Sequence, residues 1–328
     1  MRRKALLLLG LSLLAAPLAP AMAEPAGKLV LYTSQLEPDA ARTVQLFQGK
    51  HPKVQVEWIR GGTNQIMPRL RAEIAAGNPR ADLLLLADSL TFEGLKKEGL
   101  LRSSPDVATG NTPDTVHDPE RTYFGTKLLT TGIVMNTRAP FTPKGWGDLL
   151  RPEAANLTAM PSPSVSGAAA IHVQTVAQAP GLGWDYWEKL LKAGVQPRGG
   201  NGAVMQAVAG GERAFGIVVD YMPIREAAKG APVQFIFPAD GASAITEPVA
   251  ILKSSRNPEA AAAFVSFLLS REGQELASSQ GFLPADPEVA PPAGFPDRRG
   301  INLLPFDAAR AVAEGEQDLK RFNQLAGQ

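Results

Sequence analysis

The chain has 328 residues, 33 basic and 32 acidic side chains, a formal net charge of +1, 45% hydrophobic residues and no cysteine. That length supports two medium folded units or one large one, each with its own core. The near-neutral balance gives no reason to expect nucleic acid or an anionic membrane as the main partner, so charge-driven recognition has to be local. The lack of cysteine removes disulfides, thiolate nucleophiles and cysteine-based metal sites.

The chain opens on Arg2, Arg3 and Lys4. An apolar or small stretch follows over 5–21, broken by Pro17 and Pro20, and Ala21-Met22-Ala23 supplies a small-x-small cleavage pattern before Glu24. Residues 1–23 therefore read as a cleavable signal peptide, the apolar core being too short for a membrane anchor. With no lipid-bearing cysteine, the expectation is a monomer free in the periplasm, without stable membrane insertion.

Strand and helix signals then alternate. Residues 28–34 (KLVLYTS), 54–60 (VQVEWIR) and 81–87 (ADLLLLA) predict strands, and 38–48, 65–76 and 89–98 predict helices between and after them. The run 81–87 is continuously apolar, as a strand buried on both faces should be. Further on, 131–136, 157–161, 215–220, 233–238 and 247–253 predict strands. Helices are expected over 167–177, 183–193, 202–209, 258–269, 271–279 and 306–325. Residues 284–299, rich in proline and charge, read as a surface connection. This rhythm implies an α/β fold with mostly parallel sheets flanked by helices.

In such folds ligands bind at loops on the carboxyl ends of parallel strands. Here those loops are small and polar, and several run straight into a helix. They carry Ser34, Thr63, Asn64, Asp88, Ser89, Asp220 and Tyr221, with Thr131 nearby. The most informative segment is 161–170 (PSPSVSGAAA). Ser166 is a good N-cap, and Gly167 lets a ligand approach the backbone. The N–H groups of Gly167 and Ala168 are then placed for an oxyanion beside the Ser166 hydroxyl. Two readings stand for this segment alone: an anion site, or a capped helix ending in water.

The words LVLYTS, PRADLLLLADSLTFEGLKKEGLL, TTGIVMNT, SVSGAAA, GAVMQAVAGGERAFGIVVDY and EPVAILKSSRNPEAAAAFVSFLLSREGQ, in this order and spacing, resemble type II periplasmic solute-binding proteins of ABC importers. The likeness is to the group that binds ferric iron, phosphonates and sugar phosphates, and it covers nearly all of the mature chain. It implies two lobes joined by a hinge, with 24–130 and 235–328 in lobe one and 131–234 in lobe two. It also implies a cleft that closes on the solute, and an importer permease as partner.

Iron-binding members hold the metal with a His, a Glu and two adjacent Tyr, plus a bound phosphate. At the matching positions this chain has Ser34-Gln35-Leu36, Ala87 and Asp220-Tyr221, so most of that set is missing. The anion half persists: Ser166, Gly167 and Ala168 match the family's Ser-Gly-Ala, and Asn201 matches an anion-contacting Asn. The resemblance thus implies, without metal or cofactor, a small anionic solute such as a phosphonate or organophosphate.

Asp88 and Asp220 read either as helix caps or as a partner for a ligand ammonium, as in 2-aminoethylphosphonate. Ferric iron held by Tyr221, Asp220 and a bound anion is the alternative cargo. An exported phosphate-ester hydrolase is a further alternative, disfavoured because no G-x-S-x-G turn or P-loop is present and no histidine falls where a general base belongs.

Overall fold

The computed structural model describes residues 24–296 and 300–328. The expected signal peptide and residues 297–299 of the expected surface connection lie outside them. The first lobe begins with β1 (Gly27–Thr33), α1 (Glu37–Lys50), β2 (Val54–Arg60), α2 (Thr63–Ala75), β3 (Leu83–Leu85) and α3 (Ser89–Lys97). β1 pairs in parallel with both β2 and β3, as a βαβ rhythm requires.

Strand alternation sends Leu29, Leu31, Leu83 and Leu85 to one face, against Val44 and Phe47 of α1. Tyr32 and Leu84 go to the other face, against Ile66 and Leu70 of α2 and Phe92 and Leu95 of α3. The unbroken leucine run of β3 follows from burial on both sides.

The chain then enters β4 (Phe124–Asn136), all but one of whose residues are buried. The sequence predicts only its second half, because Gly125, Thr126 and Lys127 interrupt the apolar run. The second lobe follows, with β5 (Thr158–Met160), α4 (Gly167–Gln178), α5 (Gly183–Lys192), β6 (Gln196–Pro197), α6 (Asn201–Ala209), β7 (Phe215–Val219) and α7 (Tyr221–Ala228). β8 (Val233–Ile236) and β9 (Ser243–Ile251) lead back, and α8 (Pro258–Leu269), α9 (Arg271–Ser279), β10 (Leu283–Pro284) and α10 (Ala308–Leu325) complete the chain.

The sheet order is β2-β1-β3-β9-β4-β7-β5-β6, with β8 and β10 also pairing β4. The outer wings β2-β1-β3 and β7-β5-β6 are parallel, and an antiparallel centre joins them. β9 pairs with β3 through Val249, Ala250 and Ile251 and with β4 as far as Ser243. β4 and β9 are thus the strands that pass between the lobes, and their register slips between Gly125 and Leu128.

Two features depart from the sequence reading. The helix α10, expected with lobe one, puts Phe322 into the second-lobe cluster of Val173, Val176 and Trp187. It also touches α3, so it lies across both lobes. The connection after residue 284 begins buried, with Pro284, Ala285 and Asp286 all out of solvent.

Candidate functional site

Between the wings lies a cavity of about 380 Å³. Its first-lobe wall includes Ser34, Gln35, Arg60, Gly62 and Thr63. Its second-lobe wall includes Val165 through Ala168, Asn201, Gly202 and Tyr221, and Leu129 and Glu247 come from the crossing strands. Three helices start at this cavity: α2 at Thr63, α4 at Gly167 and α6 at Asn201.

Ser166 caps α4. Its Oγ accepts the Ala169 N–H at 3.2 Å and is itself held by Asn201, whose Nδ2 donates to it at 3.0 Å. Asn201 Oδ1 accepts the Val219 N–H at 3.2 Å, which fixes the amide's orientation. The cap consumes one first-turn donor of α4. The N–H groups of Gly167 and Ala168 have no intrahelical acceptor, by the geometry of a helix start. The same holds at the starts of α2 and α6, so the partial positive ends of three dipoles converge. The Thr63 hydroxyl is buried and finds no hydrogen-bond partner among the described residues.

The lobes are closed on each other. Asn64 Nδ2 donates to the Pro163 carbonyl at 2.6 Å across the cleft. A Cβ on Gly62 would lie 2.3 Å from the Val165 carbonyl oxygen, and one on Gly167 would lie 2.7 Å from Asp88 Cβ. Only glycine permits these approaches. Arg225 Nη1 meets Asp39 Oδ1 at 2.9 Å, a further contact between the lobes.

Of the residues singled out from sequence, Ser34, Thr63, Ser166, Gly167, Ala168, Asn201 and Tyr221 line the cavity. Five others do not. Asp88 caps α3, accepting from Leu90 N, Thr91 N and the Thr91 hydroxyl, with its carboxyl raised by burial against those bonds. Ser89 opens that helix. Asn64 serves the interlobe contact. Thr131 is buried in β4 opposite Val219 and Ser243.

Asp220 accepts from Thr130 N (2.8 Å), the Thr130 hydroxyl (2.7 Å) and Tyr221 N (2.7 Å), which ties β4 to the start of α7. Burial pushes its carboxyl up to about 6 despite these bonds. For both aspartates the capping reading holds, and neither carboxylate faces the cavity.

Sequence reasoning missed Gln35, Arg60 and Glu247. Arg60 ends β2 beside the glycine pair, a position the loop argument covers. Glu247 sits inside an antiparallel strand, where the strand-end rule gives no signal. It forms a buried ion pair with Lys127 at 2.7 Å and accepts from Gln35 Nε2 at 3.0 Å.

No histidine lines the cavity. His51 stacks on Phe47, His117 bonds Thr112, and His172 packs between Trp146 and Trp187 with Nδ1 on Ser243. Tyr221 stacks on Phe282 with centroids 4.2 Å apart, and burial raises its phenol far above the ordinary range. Among the described residues no group of three or more His, Cys, Asp or Glu is placed to hold a metal, and no helix is long and apolar enough to cross a membrane.

The fold has many solved counterparts. The periplasmic binding protein AfuA of Actinobacillus pleuropneumoniae, with exogenous fructose-6-phosphate bound, superposes with a TM-score of 0.81 at 23% identity, covering 92% of this chain and 98% of that one. Iron-bound HitA of Pseudomonas aeruginosa gives 0.77 at 23% identity, covering 92% and 99%. These likenesses support the two-lobed architecture, and their different cargoes show that architecture alone does not choose the solute. An uncharacterized protein of Haemophilus influenzae is 28% identical over 292 residues, which is 82% of this chain and 81% of that protein. Residues 29–283 match the bacterial extracellular solute-binding protein family, and the chain belongs to that family.

Proposed function

We propose that this protein is the periplasmic solute-capturing component of an ABC importer, and that its cargo is a small anionic phosphonate or organophosphate. Exported through the signal peptide and working as a monomer, it binds the solute between the lobes and presents the closed form to the permease. The observation that carries the cargo reading is the convergence of three helix starts on one cavity, beside the buried, unpartnered Thr63 hydroxyl. Uncommitted N–H groups and dipole ends from both lobes stabilise an oxyanion, and that anion in turn stabilises closure because both lobes contribute.

The competing readings lack parts. Asp220, one of the donors required for ferric iron, is consumed by Thr130 and Tyr221 N–H. The Tyr221 phenol is buried against Phe282 with its ionisation strongly opposed. A hydrolase would need a general base, and no histidine is among the residues that line the cavity.

Thermal shift with aminoalkylphosphonates, sugar phosphates, inorganic phosphate and ferric citrate tests the reading. A phosphorus ligand at 100 times its Kd should raise Tm by roughly 5 °C. Ser166→Asp should abolish that shift while leaving the unliganded Tm nearly unchanged. A response to ferric citrate alone, accompanied by visible colour, would overturn the proposal, as would release of phosphate from the esters.

A further inference from the structure

We infer that α10 is a strap carried by lobe two that docks on α3 of lobe one only when the lobes close. Part of the free energy of closure is then set outside the cargo cavity. The inference rests on a hinged, two-lobed chain and is independent of which solute is bound.

The polar and aromatic contacts of α10 with other elements all go to lobe two. Gln178 Oε1 accepts the Asp307 N–H at 2.9 Å, Asn323 Nδ2 donates to Ser164 Oγ at 3.2 Å, and Gln328 Nε2 donates to the Pro197 carbonyl at 2.7 Å. Phe322 meets Trp187 edge-on with centroids 5.1 Å apart, and the Arg321 guanidinium lies 4.4 Å from the Trp184 ring centroid. A Cβ on Gly315 would lie 2.7 Å from Gln174 Nε2, so α10 seats directly on α4. Among the described residues, 307–328 make no hydrogen bond or ion pair with lobe one.

Toward α3 the relation is different. The two helices touch beside a crevice of about 270 Å³, lined by Leu90, Thr91 and Gly94 from α3 and by Val312, Glu316 and Leu319 from α10. Asn64 and Asp88 also border it, so it continues the gap between the lobes beyond the Asn64–Pro163 contact. Leu90, Val312 and Leu319 are half-buried here. Such a seam parts without breaking a hydrogen bond and re-forms by burying apolar surface. A helix bonded to one lobe moves with that lobe, so on opening the α3 contact is the one that breaks. The balance between open and closed forms thus depends on a contact that the cargo never touches.

Gly94 gives access to this seam. A Cβ there meets nothing within 4 Å, and Glu316 has no ion-pair partner among the described residues. Gly94→Lys sets a cation, and Gly94→Glu an anion, across the crevice from Glu316. Lysine and glutamate are comparable helix formers, so the difference between the two variants reports the charge across the seam. Asp88, the other carboxylate on the crevice, belongs to lobe one and moves with Gly94.

The chain has no cysteine, so spin labels can be carried by pairs of cysteines introduced at exposed positions. Lys97 with Gln317 reports α3 against α10, Lys192 with Gln317 reports α5 against α10, and Arg42 with Glu212 reports lobe against lobe. Pulsed EPR distances are measured without ligand and with 2-aminoethylphosphonate, methylphosphonate, glucose 6-phosphate and glycerol 3-phosphate in turn. Any probe that changes the lobe-to-lobe distance should shorten the α3–α10 distance and leave the α5–α10 distance unchanged. By calorimetric titration, Gly94→Lys should bind that probe about two- to fivefold more tightly than Gly94→Glu. A longer α5–α10 distance, a fixed α3–α10 distance during lobe movement, or equal affinities in the two variants overturns this inference and leaves the anion site standing. If no probe changes the lobe-to-lobe distance, the anion reading falls and the unliganded variants decide this one. A larger closed fraction in Gly94→Lys than in Gly94→Glu then supports it, and identical distance distributions overturn it.

Discussion

Asn201 donates its side-chain N–H to Ser166 Oγ at 3.0 Å while its carbonyl oxygen accepts the Val219 N–H at 3.2 Å. One amide thereby links the start of α6, the cap of α4 and the end of β7, and sets the spacing between two of the three helix starts. Asn201→Ala removes the link and leaves the cap itself in place. Affinity for a phosphorus ligand should fall about tenfold or more, with at most about 1–2 kcal/mol lost in folding stability. Calorimetric titration beside urea unfolding separates the two, and unchanged affinity would show that the two starts do not act together.

Gly62→Ala isolates closure from folding. Gly62 has φ −60 and ψ 152, which alanine adopts freely, so no backbone strain arises. The only severe contact is across the cleft, where the new Cβ would lie 2.3 Å from the Val165 oxygen. The unliganded variant should melt within a few degrees of wild type and bind at least about tenfold more weakly. Small-angle scattering should show no compaction on adding ligand. Normal compaction would mean the cleft tolerates the methyl group.

The fold was largely legible because its strands are buried on both faces. The leucine run of β3, the alternation of β2 and the serine cap at 166 each state their role locally. What stayed hidden depends on partners far along the chain. Glu247 and Lys127 look like surface charges until β9 and β4 pair, 120 residues apart, and bury them together. For Asp88 and Asp220 the sequence leaves capping and ligand pairing both open, since a cap bond and a ligand contact call for the same residue type at the same strand end. Only their short hydrogen bonds to Thr91 and Thr130 decide it. The placement of α10 was missed because its amphipathic pattern says that one face is covered, without saying by which lobe.

The buried Lys127–Glu247 pair should be stabilising only as a pair. Lys127→Met leaves a carboxylate with 3% side-chain exposure and no counter-charge, at a cost of about 3–5 kcal/mol. Adding Glu247→Gln should recover a large part of that loss. A double-mutant cycle by urea unfolding measures the coupling, and additive losses would show that the two charges act independently.

Asp220 should make stability fall as pH rises. Its folded-state pKa is raised from 3.8 to about 6 by burial, so the folded protein holds this proton more tightly than the unfolded chain. The contribution is fully present below about 3.8 and is lost as pH rises through about 6, a change of up to roughly 3 kcal/mol. Asp220→Asn removes the titration. The wild type's unfolding free energy relative to that variant should therefore decline between pH 4 and 6 and level off above. A difference that stays constant or grows with pH would show that Asp220 ionises without penalty.

Backbone N–H groups at helix starts should hold the cargo's negative charge. A crystal structure of the protein with its tightest phosphorus ligand tests it most directly. The oxyanion should lie within hydrogen-bond distance of the Gly167 and Ala168 N–H groups and of at least one first-turn N–H of α2 or α6, with the Thr63 hydroxyl turned toward it. A phosphorus atom held instead by Arg60 or Lys127, away from those N–H groups, would contradict the account.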